Sequence, residues 1–202
     1  MNFIILASSL IIACFVAIFT KKDKYAQETA EQNFWNKEHK SNFVRKKSLE
    51  NLNYITIPED LIALEPKNPT AQTLSYLHDL QDMSALTIVN LTGISNTDLK
   101  LTYGTANITV LSEYDAHYTQ MVTTLQKLAE SLVASEDNEN AIRVLEFAIS
   151  TGSDVSKSYY LLSDLYVQTG TPEKVHLLIQ QAQGIQSMMK NSILQHLQAS
   201  CP

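Results

Sequence analysis

The sequence predicts a mainly α chain: antiparallel helical hairpins stacked as a short α-solenoid, preceded by one transmembrane helix. Three observations lead there. Glycine and proline number only five each in 202 residues, which excludes a collagenous or Pro/Gly-rich disordered chain and argues against a turn-rich all-β domain. Residues 3–19 form an uncharged, mostly apolar run, FIILASSLIIACFVAIF. From Val122 onward, apolar and small residues recur at a lag of 34 positions.

The N-terminal run comes first. With Thr20 it would reach about 27 Å as a helix, just enough for a bilayer core. Lys21, Lys22 and Lys24 follow it, and no Lys or Arg precedes it. The positive-inside rule then places Met1 outside and the chain from Lys21 in the cytoplasm. Two other readings start from the same residues. A cleaved secretory signal needs a basic n-region, a shorter apolar region and a small-x-small exit, none of which is present. Ile11-Ile12-Ala13-Cys14 looks like a bacterial lipobox, which would make Cys14 a lipidated residue. The apolar run continues through Phe19, however, so Cys14 also reads as a small side chain in a membrane helix.

Charge divides the rest of the chain. Residues 21–50 hold eight Lys/Arg against five acids, and residues 51–202 hold seven against sixteen. An acidic domain of this kind repels nucleic acid. A basic stretch after an apolar one points to a membrane surface instead. Residues 21–50 are rich in helix formers and free of Gly and Pro, which predicts a helical extension at least to about His39 and a basic juxtamembrane linker. Phe34 and Trp35 are expected to pack against the domain, with a lipid interface as the other reading. Arg45-Lys46-Lys47 reads as a solvated patch or as an attractor of anionic lipid. Two cysteines, Cys14 and Cys201, cannot build a disulfide framework or a four-ligand zinc site.

Residues 51–110 read as an irregular and helical cap. The segment 52–58, LNYITIP, is β-branched and alternating, and is expected to be extended. Pro58, Pro66 and Pro69 punctuate a loop. A helix follows over 70–83, with Leu74, Leu77 and Leu80 in line with Ala71. Residues 85–91 are apolar and ambiguous between helix and strand. Ser95 to Asp98 offers N-cap chemistry for a short helix through Tyr103, stopped by Gly104. The Asn90 and Asn107 triplets match glycosylation acceptors, idle in a cytoplasmic domain.

Residues 111–202 carry the repeat, in copies of about 122–155 and 156–189. Leu125 falls on Tyr159, Leu128 on Leu162, Ala129 on Ser163 and Leu132 on Tyr166; Ala141 falls on Val175, Leu145 on Ile179 and Ala148 on Ala182. Small residues at 129, 141, 148, 163 and 182 would let helix backbones approach, with larger side chains filling between them. Asn138 and Gly170-Thr171-Pro172 would supply turns, with Thr171 as N-cap and Pro172 at the first helical position. Over 185–197, Met188, Met189, Ile193, Leu194 and Leu197 would form the apolar face of a capping helix.

Leu125-x2-Leu128-Ala129-x2-Leu132 and Tyr159-x2-Leu162-Ser163-x2-Tyr166, followed by Ala141-x3-Leu145 and Val175-x3-Ile179, resemble the tetratricopeptide repeat (TPR) over about a third of the chain. The aromatic expected at position 125 is absent, and Ser153 and Ser187 stand where the repeat's terminal proline would. The resemblance implies paired antiparallel helices whose first members hold a peptide on their inner faces. In this register those positions are Thr123, Gln126, Glu130 and Val133, then Lys157, Tyr160, Asp164, Val167 and Gln168. Six of them, Gln126, Glu130, Lys157, Tyr160, Asp164 and Gln168, form the expected partner-binding set, with Tyr160 as aromatic anchor.

Catalytic signatures are missing. No HExxH, GxSxG, GxxxxGK[ST] or GxGxxG occurs, and the five histidines lack ligand spacing. His117 with Asp115 and His78 with Asp79 read as surface pairs. The expected function is a membrane-anchored, non-enzymatic scaffold that binds a partner protein or peptide, without cofactor, metal, nucleic acid or small-molecule substrate. The alternative is an extracytoplasmic lipoprotein or exported helical module in envelope assembly.

Overall fold

The structure, a computed structural model, describes residues 3–200, apart from the side chains of 3–14 and 16–18. The transmembrane reading of residues 3–20 and the lipidation reading of Cys14 rest on those side chains and lie outside the described residues. Among the described residues no helix is long and apolar enough to cross a membrane.

The chain is mainly α-helical and folds as two compact units, Met1–Lys47 with Ser95–Ile108, and Ser48–Ile94 with Thr109–Pro202. This division cuts through the 51–110 segment drawn from the sequence, because residues 95–108 group with the N-terminal helix.

The first unit is built on α1 (Phe3–Asn42), a continuous helix that runs just past the expected His39. Its C-terminal end is held by α4 (Asn96–Tyr103). Glu38 accepts from Lys100 Nζ at 2.5 Å and from the Thr97 hydroxyl, and Lys37 pairs with Asp98 at 2.6 Å. Those donors hold both carboxyls below their ordinary range: Lys100 then Thr97 for Glu38, Lys37 then Ser95 for Asp98. Ser95 caps α4 as the sequence predicts, its hydroxyl accepting from the Asp98 N–H. Gly104 ends α4 at φ +90, where a Cβ would meet the Arg45 carbonyl oxygen at 2.2 Å, so only glycine fits. Lys47 is not simply solvated: its Nζ donates to the Leu101 carbonyl at 2.9 Å. Phe34 and Trp35 do not pack into a domain. They lie edge to face at 5.4 Å and are more than half exposed.

The second unit contains α2 (Glu59–Ile62), α3 (Ala71–Met83), most of α5 (Ile108–Ala134), α6 (Asn138–Ser150), α7 (Ser156–Gln168), α8 (Val175–Gln183) and α9 (Lys190–Ser200). Its core explains the lag of 34. Every residue of the seven aligned pairs is buried except Ile179, which is half-buried. The buried face of α5 runs through Leu111, Tyr118, Met121, Val122, Leu125, Leu128, Ala129 and Leu132, the three- and four-residue spacing of an apolar helix stripe. Helix α7 packs on α6, α8 and α9, and α8 packs on α9. Fully buried Ala141, Ala148 and Ala182 suit such close approach.

Several local expectations change. The α5–α6 turn is not at Asn138, which is already helical; Glu136 makes it at φ +59, and Asp137 takes the N-cap position. Pro172 opens a 3-10 turn, Pro172–Lys174, rather than α8, and Thr171 makes no side-chain cap. Residues 185–189 are not helical: Gly184 follows α8, the Ser187 hydroxyl accepts the Met189 N–H, and Met188 is 98% exposed. The face that α9 buries is Ile193 and Leu197. In α3, Leu74 is exposed, and Thr73, Leu80 and Met83 are buried. The Thr70–Thr73 capping box and a 2.7 Å contact between the Thr73 and Ser131 hydroxyls set that register. Segments 52–58 and 85–91 form no strand among the described residues, but an isolated antiparallel bridge joins Tyr54 to Val89, and Ile55 N–H donates to Ile88 O at 3.0 Å.

Candidate functional site

Helix α5 and the start of α7 form the wall of a surface depression of about 220 Å³, lined by Thr123, Gln126, Lys127, Glu130, Val155 and Lys157. Helical spacing explains the first four: positions 123, 126, 127 and 130 lie three or four apart and share one face. Val155 immediately precedes α7 in its N-cap position, so Lys157 and Ser158 emerge from the first turn.

At the centre is Gln126. It is buried at 7% exposure, which a carboxamide tolerates only when hydrogen-bonded. Its Oε1 accepts from the Ser158 hydroxyl at 2.6 Å, and its Nε2 donates to Glu130 Oε1 at 3.0 Å. The same Glu130 oxygen lies 4.0 Å from Lys157 Nζ. The chain Ser158–Gln126–Glu130–Lys157 thus fixes α5 against α7 and presents two opposite charges at the rim. That ion pair is largely solvated and contributes roughly 0–1 kcal/mol, so either charge can turn to an incoming group at little cost.

Three of the expected residues, Gln126, Glu130 and Lys157, therefore come together. Tyr160 does not join them. Its ring packs on His196 of α9 with centroids 3.9 Å apart, and its hydroxyl lies 3.0 Å from the Ser192 hydroxyl. It fastens α7 to α9 and is not an open anchor. Asp164 and Gln168 are exposed further along α7, Val167 is exposed, and Val133 is half-buried against the core. Leu162 and Tyr166, on the opposite side of α7, are buried. Tyr166 donates its hydroxyl to Glu146 at 2.7 Å, and burial, then that contact, pushes its phenol pKa up.

Lys127 and Val155 were not in the expected set. Lys127 was legible, since it stands four residues after Thr123 and three before Glu130. Val155 was not, because it lies outside both first helices in the repeat register.

The histidine pairs do not form. His117 Nδ1 lies 2.8 Å from the Thr87 carbonyl, while Asp115 accepts the Leu91 N–H. His78 sits 3.3 Å from Asp82, not on Asp79, with both side chains open to solvent. Among the described residues no three His, Cys, Asp or Glu side chains are grouped to hold a metal ion. The two glycosylation-like asparagines have their amide nitrogens engaged within the fold: Asn90 with Tyr118, Thr151 and Gly152, and Asn107 with Lys47 and Tyr103. Comparison with protein-family models, curated proteins and solved structures returns no match.

Proposed function

We propose that the protein is a membrane-anchored scaffold, acting without catalysis, that holds a partner peptide in the α5–α7 depression on a TPR-like stack of helical hairpins. The observation that carries the reading is the convergence of Gln126, Glu130 and Lys157 around one concavity, at positions that the repeat register assigns to the inner face. A largely buried carboxamide with fixed partners, flanked by solvated charges, is suited to reading a peptide's polar groups without reacting with them. The anchor in this proposal is residues 3–20, with the N-terminus outside and the remaining chain in the cytoplasm, as the three lysines after the run favour.

The test is capture of partner proteins from membranes with the full-length chain. Lys157→Glu and Thr123→Arg alter the rim without touching the core. Each is expected to reduce capture about tenfold or more, Lys157→Glu by reversing a rim charge and Thr123→Arg by filling the depression, with an unchanged circular dichroism spectrum. Equal capture by both variants would remove the depression from the function.

A further inference from the structure

We propose that the C-terminal end of α1 is a second docking surface, and that it takes an acidic amphipathic segment of a partner protein. It lies in the first unit and shares no residue with the α5–α7 depression, so it stands or falls independently of that reading.

Charge selects the class of partner. Residues 37–47 and 95–108 contain six bases, Lys37, Lys40, Arg45, Lys46, Lys47 and Lys100, and two acids, Glu38 and Asp98. Both acids are neutralised within the unit, Glu38 by Lys100 at 2.5 Å and Asp98 by Lys37 at 2.6 Å. Lys47 Nζ is held by the Leu101 carbonyl. Lys40, Arg45 and Lys46 remain, all exposed, and none has an ion pair among the described residues. No acid stands between residues 40 and 46. Cations clustered without a counter-charge attract a ligand of negative charge and repel a basic one.

Aromatic rings supply the apolar part of the surface. Trp35, His39 and Phe43 are spaced by four, which puts them on one side of the helix. Trp35 is 60% exposed and Phe43 74%, and the rings of His39 and Phe43 lie 5.0 Å apart. Large exposed rings grouped in this way mark interaction sites, and aromatics at helical spacing are the anchors by which a helix packs along an apolar partner.

The surface is held in shape from behind. Lys37, Glu38 and Ser41 lie on the side of α1 turned away from that stripe. Lys37 and Glu38 take α4, and the Ser41 carbonyl accepts the Thr105 hydroxyl at 2.9 Å. A surface fixed before binding loses little freedom on binding.

Distance favours a peptide over lipid. From Thr20 to Lys40, α1 rises about 30 Å at 1.5 Å per residue, and charges in physiological salt are screened within about 8 Å. A bilayer spanned by residues 3–20 is therefore out of range of Lys40, Arg45 and Lys46. This step alone rests on the anchor proposed above.

Trp35 is the only tryptophan in the chain, so its fluorescence reports on this surface. The full-length chain in a non-ionic amphipol would be titrated with an acetylated, amidated peptide of three Glu-Glu-Leu-Leu repeats, and with the same peptide carrying glutamine or lysine in place of glutamate. The expected result is a saturable blue shift with the glutamate peptide, binding about tenfold or more weaker with glutamine, and none with lysine. Replacing Lys40, Arg45 and Lys46 together by glutamine is expected to weaken binding about tenfold or more, and Phe43→Ser by a similar factor. Neither change should move the thermal melt, because all four side chains are exposed. Lys157→Glu, in the other unit, should leave the titration unchanged. No response to the glutamate peptide, equal binding of the lysine peptide, or full binding by both variants would overturn the proposal. Vesicles containing phosphatidylserine form the second arm, which decides against lipid whether or not residues 3–20 span a bilayer. A blue shift with those vesicles and none with the glutamate peptide would assign the surface to lipid and overturn the proposal as well.

Discussion

Asp137 shows how one residue ties a loop to a helix turn. Its side chain is fully buried, and Oδ2 accepts from the Lys67 N–H at 3.0 Å and from Asn140 Nδ2 at 2.8 Å. Burial acts to raise its pKa, but the hydrogen bonds from Asn140 and Lys67 outweigh it and hold the carboxyl below its ordinary range. The sign follows directly. A group with a depressed folded pKa adds stability that is complete above its unfolded value, about 3.9, and is lost as pH falls through the folded one. Asp137→Asn is expected to cost roughly 1–3 kcal/mol at neutral pH, because an amide must replace an acceptor. The gap between the thermal melts of wild type and variant should narrow as pH falls below about 4. A gap that stays constant from neutral pH into the acid range would show that the charge contributes nothing. Ser163 is the opposite case. Its buried Oγ has no hydrogen-bond partner among the described residues, so Ser163→Ala is expected to be neutral or to stabilise by up to about 1 kcal/mol in urea melts. A clear loss would mean that the hydroxyl is satisfied in solution.

The repeat register makes its sharpest statement at the level of helices. Leu145 and Ala141 on α6 are both fully buried, one as a filler and one at a close approach. Leu145→Ala should leave a cavity costing about 2–5 kcal/mol, and Ala141→Leu should overpack by about 1–3 kcal/mol. Urea denaturation of the full chain in detergent measures both, and neutrality of both would refute the register. The helices were legible where an apolar period ran for several turns, as in α5 through α7, because burial of one face is what makes such a period. Legibility failed where local chemistry decided. The methionines at 188 and 189 extend an apolar pattern, yet the Ser187 hydroxyl takes the Met189 N–H and makes a turn there. In α3 the leucines at spacing three suggested the buried face, but the Thr70–Thr73 cap and the Thr73–Ser131 contact rotate it. At the site, the register brought Gln126, Glu130 and Lys157 together. It failed at Tyr160, because no periodicity links that position to His196, thirty-six positions away, whose ring stacks on it.

At the scale of the whole molecule, the proposed function joins an N-terminal anchor to an acidic helical unit. Beyond residue 20, α1 continues for about six turns with nearly every side chain exposed. The lysines at 21, 22 and 24 should hold the following chain inside. A reporter fused after residue 202 is expected to read cytoplasmic, and protease added to intact cells should spare the domain. Cleavage from outside would reverse the proposed topology. The central claim, that the α5–α7 depression holds a partner, is tested most directly by photocrosslinking in intact membranes. A crosslinking amino acid would be placed at Thr123 or Lys157, and at exposed Glu173 as the control. The account predicts one discrete crosslinked species from both depression positions and none from the control. No adduct at 123 and 157, or the same adducts at all three positions, would contradict it.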